Sequence, residues 1–244
     1  MTCKRYLVTG ATSGVGMAVA HALLAEHEVT CVARDEDKLR ELYDRRVGAR
    51  SVVIDFEKTS PILITADVKD EAALGEGFDG LFHAAGSELV LPLRLTGDSH
   101  YRAAMTFADS TFALLRAAAS RDVMKPGGSV VIMSSVAAHR GTAGMAAYSG
   151  ARAAVEGMVR VAAVELAERR VRVNCIAAGA FRSAMHGRLT KRMPQAAQDK
   201  YVAAHPLGFG SVDAICDAVL HLLSDASRWT TGSVQVVDGG YLAA

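Results

Sequence analysis

The sequence predicts one α/β domain built on a doubly wound, mainly seven-stranded parallel sheet flanked by helices. Apolar runs of strand length alternate with amphipathic stretches of helix length along the whole sequence, a pattern typical of βαβ units. Hydrophobic residues make up 50% of the chain, as a parallel sheet covered on both faces requires. No internal repeat, low-complexity tract or Pro/Gly-rich linker divides residues 1–244, so we expect a single domain.

The predicted strands are short runs of β-branched and other apolar residues bounded by turn residues. In chain order they are residues 5–9, 28–33, 62–66, 79–83, 128–134, 171–176 and 233–237. The predicted helices are longer stretches with a helical apolar period, at residues 14–25, 35–45, 99–121, 145–169 and 211–224, with a shorter one near 70–75. Residues 46–61 contain an additional strand-like piece at 51–55, and residues 180–206 have no clean period.

The composition argues against several classes of function. The 27 basic and 26 acidic residues give a net charge of +1 and are interspersed, so neither nucleic acid nor a membrane is an expected partner. The apolar runs fall far short of the roughly 20 residues that span a bilayer. The first residues lead directly into a strand, so we expect no signal peptide and a cytoplasmic protein. The cysteines and histidines lack CxxC, HxH and HExxH spacing, so no metal site is predicted.

A glycine-rich loop follows the first predicted strand and opens an alanine-rich helix. Glycines permit a tight turn and a close approach to a pyrophosphate, and the helix N-terminus supplies N–H donors. An ordinary strand-to-helix turn would also contain glycines, but a loop at the first junction of an α/β alternation favours dinucleotide binding. The residues predicted to bind the cofactor here are Gly10, Thr12, Ser13, Gly14, Val15 and Gly16.

The end of the second predicted strand bears on cofactor choice. A carboxylate there would accept hydrogen bonds from the adenine ribose and repel a 2′-phosphate. Here Ala33 removes that carboxylate, and Arg34 offers a planar cation with several donors, suited to phosphate. The alternative is that Arg34 is a solvated residue at the start of a helix that pairs with Asp37.

A serine, a tyrosine and an arginine form a candidate catalytic group. Ser135 follows the fifth predicted strand, thirteen positions before Tyr148, and Arg152 lies four residues later, on the same helix face as Tyr148. Reduction of a carbonyl group needs a proton donor. A free phenol has a pKa of about 10, so a nearby cation is needed to stabilise the phenolate that remains after proton transfer.

The TGxxxGxG loop, Ser135 and the YxxxR pair together resemble the short-chain dehydrogenase/reductase family, most of all its 3-oxoacyl-carrier-protein reductases. The family has YxxxK, so Arg152 stands in place of a lysine. The similarity spans essentially the whole chain. It implies a Rossmann fold and an NADP(H)-dependent oxidoreductase that reduces a ketone, for example a 3-oxoacyl thioester, or oxidises the matching alcohol. Tyr148 would be the acid and base, Ser135 would hold the substrate oxygen, and Arg152 would contact the nicotinamide ribose.

The resemblance also implies further cofactor contacts. Asp67 and Val68 resemble the family's DVxD segment beside adenine. Asp55 competes with Asp67 because its spacing from Arg34 is closer to the family's, but we favour Asp67 because Asp70 can then cap the following short helix. The family's NNAG segment is replaced by a segment that begins at His83, which we expect to be a structural hydrogen-bonding residue. The remaining expected contacts are Ala84, Ala85, Gly86, Gly179, Phe181 and Ser183, with a substrate lid near residues 180–206 and a homo-tetrameric assembly.

Two departures from the family pattern both affect the proton relay. The family's proton relay uses the lysine and an asparagine that holds a water molecule, and Phe107 aligns with that asparagine. Phenylalanine holds no such water, and arginine cannot lose a proton to relay it. The sequence therefore leaves a second hypothesis open, a cofactor-binding but weakly active or inactive partner subunit. It also predicts that Arg152→Lys alone gives only a modest gain in activity, and that adding Phe107→Asn makes the gain larger.

Overall fold

The computed structural model describes residues 3–54, 76–183, 187 and 194–244. Within them, seven parallel strands form one sheet in the order β3-β2-β1-β4-β5-β6-β7, which confirms the predicted doubly wound fold. The strands are β1 (Arg5–Thr9), β2 (Glu28–Ala33), β3 (Ala49–Val53), β4 (Phe78–His83), β5 (Met124–Ser135), β6 (Arg172–Ala178) and β7 (Val234–Val237).

In the described residues, helices follow β1, β2, β4, β5 and β6, and most of them begin and end near the predicted positions. They are α1 (Gly14–Leu23), α2 (Glu36–Tyr43), α3 (Asp98–Ala119), α4 (Ala146–Glu165), α5 (Gln195–Ala203) and α6 (Val212–Leu223). Side-chain caps explain two of the starts: Asp35 accepts a hydrogen bond from the Lys38 amide at α2, and Ser211 accepts one from the Ala214 amide at α6. No helix in the described ranges is long and apolar enough to cross a bilayer.

The order of the strands creates a crevice at the carboxyl ends of β1 and β4. The chain moves outward from β1 to β2 and β3, then returns to β4 on the other side of β1 and moves the opposite way. Ligands of doubly wound sheets bind at such a reversal. Thr9, the last residue of β1, pairs in register with His83, the last residue of β4, so the loops after these two strands leave the sheet side by side.

The third strand of the described sheet lies in a segment that the sequence predicted only as an additional strand-like piece. The segment that pairs with β2 is Ala49–Val53, with Ala33 opposite Val53, whereas the sequence analysis treated residues 51–55 as an additional piece. Gly48, at φ +81°, makes the turn that enters this strand. As the edge strand, β3 is half-exposed, so it lacks the continuous apolar run that marks a strand buried on both faces. The predicted strand at 62–66 and the helix near 70–75 lie outside the described residues.

Helix α5 was not predicted. It lies within residues 180–206, which were expected to be irregular, and it begins after Pro194. No residue of α5 is fully buried, so the helix has no apolar stripe from which it could be recognised.

Candidate active site

A cavity of about 160 Å³ lies at the crevice between β1 and β4. Arg34 is the charged residue of its described lining, which contains no carboxylate. The cavity brings together seven of the sequence-predicted cofactor residues, namely Gly10, Thr12, Ser13, Arg34, Ala84, Ala85 and Gly86.

The glycine-rich loop is shaped by contacts that a side chain would prevent. A Cβ on Gly16 would lie 2.3 Å from the carbonyl oxygen of Gly10, and a Cβ on Gly10 would lie 2.9 Å from the backbone of Ala84. Gly14, at φ +51°, has no atom of the described residues within 4 Å of the place a Cβ would occupy. The loop therefore packs tightly against the chain on one side and leaves open space at Gly14 on the other.

The N-terminus of α1 is suited to an anion. Ser13 is the N-cap residue, its hydroxyl makes no capping hydrogen bond, and the first turn of α1 holds no acidic residue. The first N–H groups of a helix have no partner within it and carry partial positive charge. With open space at Gly14, these donors fit the pyrophosphate of a dinucleotide.

A larger cavity, of about 1150 Å³, lies between α1, α5 and α6. Gly14 at the start of α1 and Ser183 after β6 both line it. The other predicted residues after β6 are held by backbone contacts: a Cβ on Gly179 would lie 2.6 Å from the Cα of Asp238, and Phe181 forms a bridge with Gly210.

Ser135 and Tyr148 lie on the elements that the sequence indicated. Ser135 ends β5, and its Oγ accepts a hydrogen bond of 3.2 Å from the Ala137 amide at the following turn. Tyr148 lies in the first turn of α4 and is half-buried. The cation of Arg152, one turn further on, has its Cζ 4.8 Å from the centre of the Tyr148 ring.

Arg152 is buried against Phe107 of α3. The residue is only 6% exposed, and the Cζ of its guanidinium lies 3.6 Å from the centre of the Phe107 ring. Its Nη1 donates a hydrogen bond of 3.0 Å to the Met133 carbonyl of β5. Its Nε is buried with no hydrogen-bond partner in the described part of the chain. A Cβ on Gly86 would lie 3.0 Å from its Nη2, so the missing side chain keeps the guanidinium beside the cavity.

His83 stacks on the same Phe107 ring, with 4.7 Å between ring centres and 5° between ring planes. The Oγ1 of Thr9 accepts from the amides of Ala84 and Ala85, so its hydroxyl donates to His83 Nδ1 at 2.6 Å. His83 Nε2 then donates to the Ser110 hydroxyl at 3.0 Å. Burial, aided by the nearby Arg152 cation, lowers the pKa of His83 to about 3. His83 is therefore a neutral residue that ties β1 and β4 to α3.

Sequence reasoning missed a buried carboxylate beside Ser135. Glu156 lies one turn after Arg152 on α4 and is 5% exposed. It accepts a hydrogen bond of 2.6 Å from Ser134, and His139 lies 3.0 Å from the same oxygen. Contacts on both sides of Ser135 thus fix the turn that carries it. The spacing of eight residues from Tyr148 to Glu156 was the available signal, because it places both on one helix face.

An aromatic cluster between α5 and the C-terminal residues was also missed. His205 stacks on Tyr241 with 4.5 Å between ring centres, and it accepts a hydrogen bond from the Ala180 amide. Tyr201 packs against His205 and Phe209 at 5.2 Å. Burial and the neighbouring Tyr241, Glu88 and Tyr148 raise the pKa of Tyr201 to about 12. The cluster therefore holds α5 near Tyr148.

Asp67, Val68 and the competing Asp55 lie outside the described residues. The described chain before them ends at Ile54, which lines the cavity beside Arg34 and donates its amide to the Ala33 carbonyl. Neither carboxylate can therefore be assigned an adenine contact from the geometry.

Comparisons with known proteins agree with this architecture. A family profile described as "Enoyl-(Acyl carrier protein) reductase" matches residues 10–242. The chain is 32% identical to the L-xylulose reductase of Bos taurus over 248 residues, 98% of this chain and 97% of that protein. It is 29% identical to the 3-oxoacyl-(acyl-carrier-protein) reductase of Thermotoga maritima over 243 residues, 97% of both chains. A blue fluorescent protein from a metagenomic library, crystallised with NADPH, superposes with a TM-score of 0.85 at 26% identity, covering 98% of this chain and 97% of that one.

The buried neutral His83 predicts a pH-dependent loss of stability. Because its pKa is lowered from 6.5 in the unfolded chain to about 3 in the folded protein, the unfolded chain binds a proton that the folded protein does not. Its contribution is complete above pH 6.5 and declines as the pH falls toward 3. Between pH 6.5 and 5 the expected loss in the free energy of unfolding is about 2 kcal/mol, measured by urea denaturation.

His83→Asn should show a smaller loss of stability over the same pH range than the parent protein. His100→Asn is the matched control, since His100 is exposed on α3, and it should keep the pH dependence of the parent. Equal pH dependence in the parent and His83→Asn would contradict the assignment of His83 as buried and neutral.

Proposed function

The chain belongs to the short-chain dehydrogenase/reductase family of oxidoreductases, and on that premise we propose that it is an NADP(H)-dependent enzyme. It reduces a ketone or oxidises the matching alcohol. The observation that carries this proposal is the buried Arg152 cation 4.8 Å from the Tyr148 ring, beside a cavity bordered by a glycine-rich loop and a helix N-terminus.

Several features of the described residues support the binding of a dinucleotide. The N-terminus of α1 and the open space at Gly14 suit a pyrophosphate. Arg34 borders the adenosine end of the cavity without a carboxylate in the described lining, which suits a 2′-phosphate. The buried Nε–H of Arg152 has no acceptor among the described residues, and a hydroxyl of the nicotinamide ribose would accept its hydrogen bond. Gly179, Phe181 and Ser183 would border the nicotinamide.

The position of β3 bears on one further contact, the one to adenine. The residue after β3, Ile54, lines the cavity, and Asp55 is the next residue in the chain. We therefore propose Asp55 for the adenine contact in place of Asp67, which the sequence favoured. Val68 is then a weaker candidate as well, since it was assigned together with Asp67.

The catalytic step needs a proton and a hydride, and bound NADP(H) supplies or accepts the hydride. In the reduction, Tyr148 donates its hydroxyl proton to the substrate oxygen, and Ser135 holds that oxygen by a hydrogen bond. The cation of Arg152 stabilises the phenolate that remains. In the oxidation, the phenolate accepts the hydroxyl proton of the alcohol.

The substrate is a small ketone or a carrier-bound one. The relatives named above include a reductase of a polyhydroxylated ketose and a reductase of 3-oxoacyl thioesters, so both classes belong in the first assays. A partner subunit with little activity is the second candidate, and Phe107 favours it, since the ring beside Arg152 offers no polar atom to a proton relay.

Replacing Tyr148 by phenylalanine should nearly abolish turnover, because the substrate oxygen then loses its proton donor. General acid catalysis contributes about 10²–10⁴-fold to a rate, so a loss of that size is expected in the consumption of NADPH with L-xylulose or a 3-oxoacyl thioester. NADPH affinity, measured by fluorescence, should survive.

The matched control is Tyr101→Phe, because Tyr101 is 52% exposed on α3 and does not line the cavity. It should retain the parent rate. Undiminished turnover by Tyr148→Phe would refute the mechanism, and a parent protein without turnover that still binds NADPH would support the partner-subunit candidate.

NADPH should bind more tightly than NADH because Arg34 meets the 2′-phosphate. A hydrogen bond between charged groups contributes about 1.5–3 kcal/mol, so we expect a preference of roughly ten- to a hundred-fold. Arg34→Ala should remove most of the preference. Arg45→Ala, which removes an exposed arginine outside the lining of the cavity, should keep it. Equal affinities of the parent protein for the two cofactors would exclude the assignment.

We expect a homo-tetramer with two-fold symmetry, because α3 and α4 expose large apolar residues beside each other. Phe112 on α3 is 55% exposed, and Val161 and Val164 on α4 are 59% and 78% exposed. Burial of such side chains favours association. Light scattering at micromolar concentration should give about four times the 25.7 kDa of one chain, and Val164→Asp should lower that mass. A parent protein that is monomeric would refute this expectation.

A further inference from the structure

We propose that Phe107 is a positioning residue for Arg152, and that His83, Phe107 and Arg152 form one stacked support for the Tyr148 hydroxyl. We call these three residues the ring stack. The inference rests on the proposed function, because it assigns to Arg152 the stabilisation of a Tyr148 phenolate.

The three members of the ring stack come from three different elements. His83 ends β4, Phe107 lies in the middle of α3, and Arg152 lies on α4. The Phe107 ring has the His83 ring 4.7 Å away and parallel to it within 5°, and the Arg152 Cζ 3.6 Å from its centre. A separation of 3.6 Å is that of two flat groups in van der Waals contact. All three positions were also departures from the family pattern in the sequence, and the fold joins them into one contact.

The ring stack accounts for how a buried cation is held. Removing a cation from water is costly unless it gains partners, and no carboxylate of the described residues forms an ion pair with Arg152. Its charge instead faces an aromatic ring, which attracts cations, and its Nη1 donates to the Met133 carbonyl. These contacts leave Nε and Nη2 for the cavity side, where Gly86 has no side chain.

His83 fixes the ring on which the cation lies. It receives a hydrogen bond from Thr9 and gives one to Ser110, and Ser110 in turn donates to the Phe107 carbonyl. The imidazole is thereby bonded to the helix turn that carries the ring it stacks on. The support is consequently complete in the chain itself and does not depend on a bound ligand.

The ring stack is built for a planar cation, which reverses one expectation from the sequence. A lysine ammonium has no flat face to lie on the Phe107 ring while it also reaches the Met133 carbonyl. Arg152→Lys should therefore lower activity, where the sequence predicted a modest gain. Phe107→Asn should also lower it, because the guanidinium loses its ring. An asparagine at position 107 and a lysine at position 152 should be more compatible with each other than either is with the parent residue at the other position.

A double-mutant cycle tests the coupling. The parent protein, Phe107→Asn, Arg152→Lys and the double variant are compared by kcat/KM for the ketone that the parent reduces best. Each single variant should lose roughly thirty-fold, the size of a desolvated cation–π contact, and the double variant should be more active than either single one. Effects that simply multiply, or an Arg152→Lys variant as active as the parent, would overturn the proposal.

A binding experiment tests positioning without turnover. Phe107→Leu keeps an apolar side chain but removes the flat face, and Phe107→Tyr keeps the face. We expect Phe107→Leu to weaken NADPH binding about ten-fold, to leave binding of adenosine 2′,5′-bisphosphate unchanged, and Phe107→Tyr to bind both as the parent does. Equal weakening of both ligands by Phe107→Leu, or no weakening of either, would overturn the proposal.

The two experiments separate this inference from the proposed function. If Tyr148→Phe keeps its turnover, the proposed mechanism fails, yet the contrast between NADPH and the bisphosphate still shows whether Phe107 positions Arg152. If Tyr148→Phe is inactive and Phe107→Leu behaves as the parent, the mechanism stands and the positioning role is wrong. Circular dichroism melts of each variant exclude those that do not fold, and Phe107→Leu replaces Phe107→Asn if the latter is among them.

Discussion

The contact between the Arg152 cation and the Phe107 ring is the interaction on which the candidate active site depends. A permanently charged group that is only 6% exposed would destabilise the fold unless neighbouring groups stabilised its charge. The Phe107 ring, 3.6 Å from Cζ, and the Met133 carbonyl, 3.0 Å from Nη1, are such groups. Neither carries a full negative charge, so the cation can still stabilise an anion that forms beside it. A tyrosine phenolate is such an anion.

The sheet brings the required elements to one place. Because β1 and β4 are neighbours and end in register at Thr9 and His83, one threonine hydroxyl bonds both the imidazole and the two amides that follow it. The next strand, β5, supplies the Met133 carbonyl and ends at Ser135. The glycine-rich loop, the ring stack and the candidate catalytic residues are thus consequences of one strand order.

Much of the fold could be predicted from the sequence, and the exceptions have physical reasons. The strands at 5–9 and 28–33 agree with the structure to the residue, since strands buried on both faces have continuous apolar runs. The edge strand β3 was predicted only as an additional strand-like piece, and helix α5 was not predicted. Each is half-exposed or polar, so the apolar period that identifies an element is weak. The loop residues Gly10 to Gly16 could be located because their motif is local.

The contacts inside the site were harder to predict because they join distant parts of the chain. The sequence indicated separately that His83, Phe107 and Arg152 depart from the family pattern, but no spacing rule places residue 107 on residue 152. Only the packing of α3 against α4 does so. Glu156 and the cluster around His205 were missed for the same reason, since their partners lie on other elements.

A crystal structure of the protein with NADPH bound is the most direct test of the account. The Arg152 guanidinium should stay on the Phe107 ring, and its Nε or Nη2 should donate a hydrogen bond to the nicotinamide ribose. The Tyr148 hydroxyl should face the place where a substrate oxygen would lie. An Arg152 side chain that leaves the ring when NADPH binds, or that makes no contact with the ribose, would contradict the account.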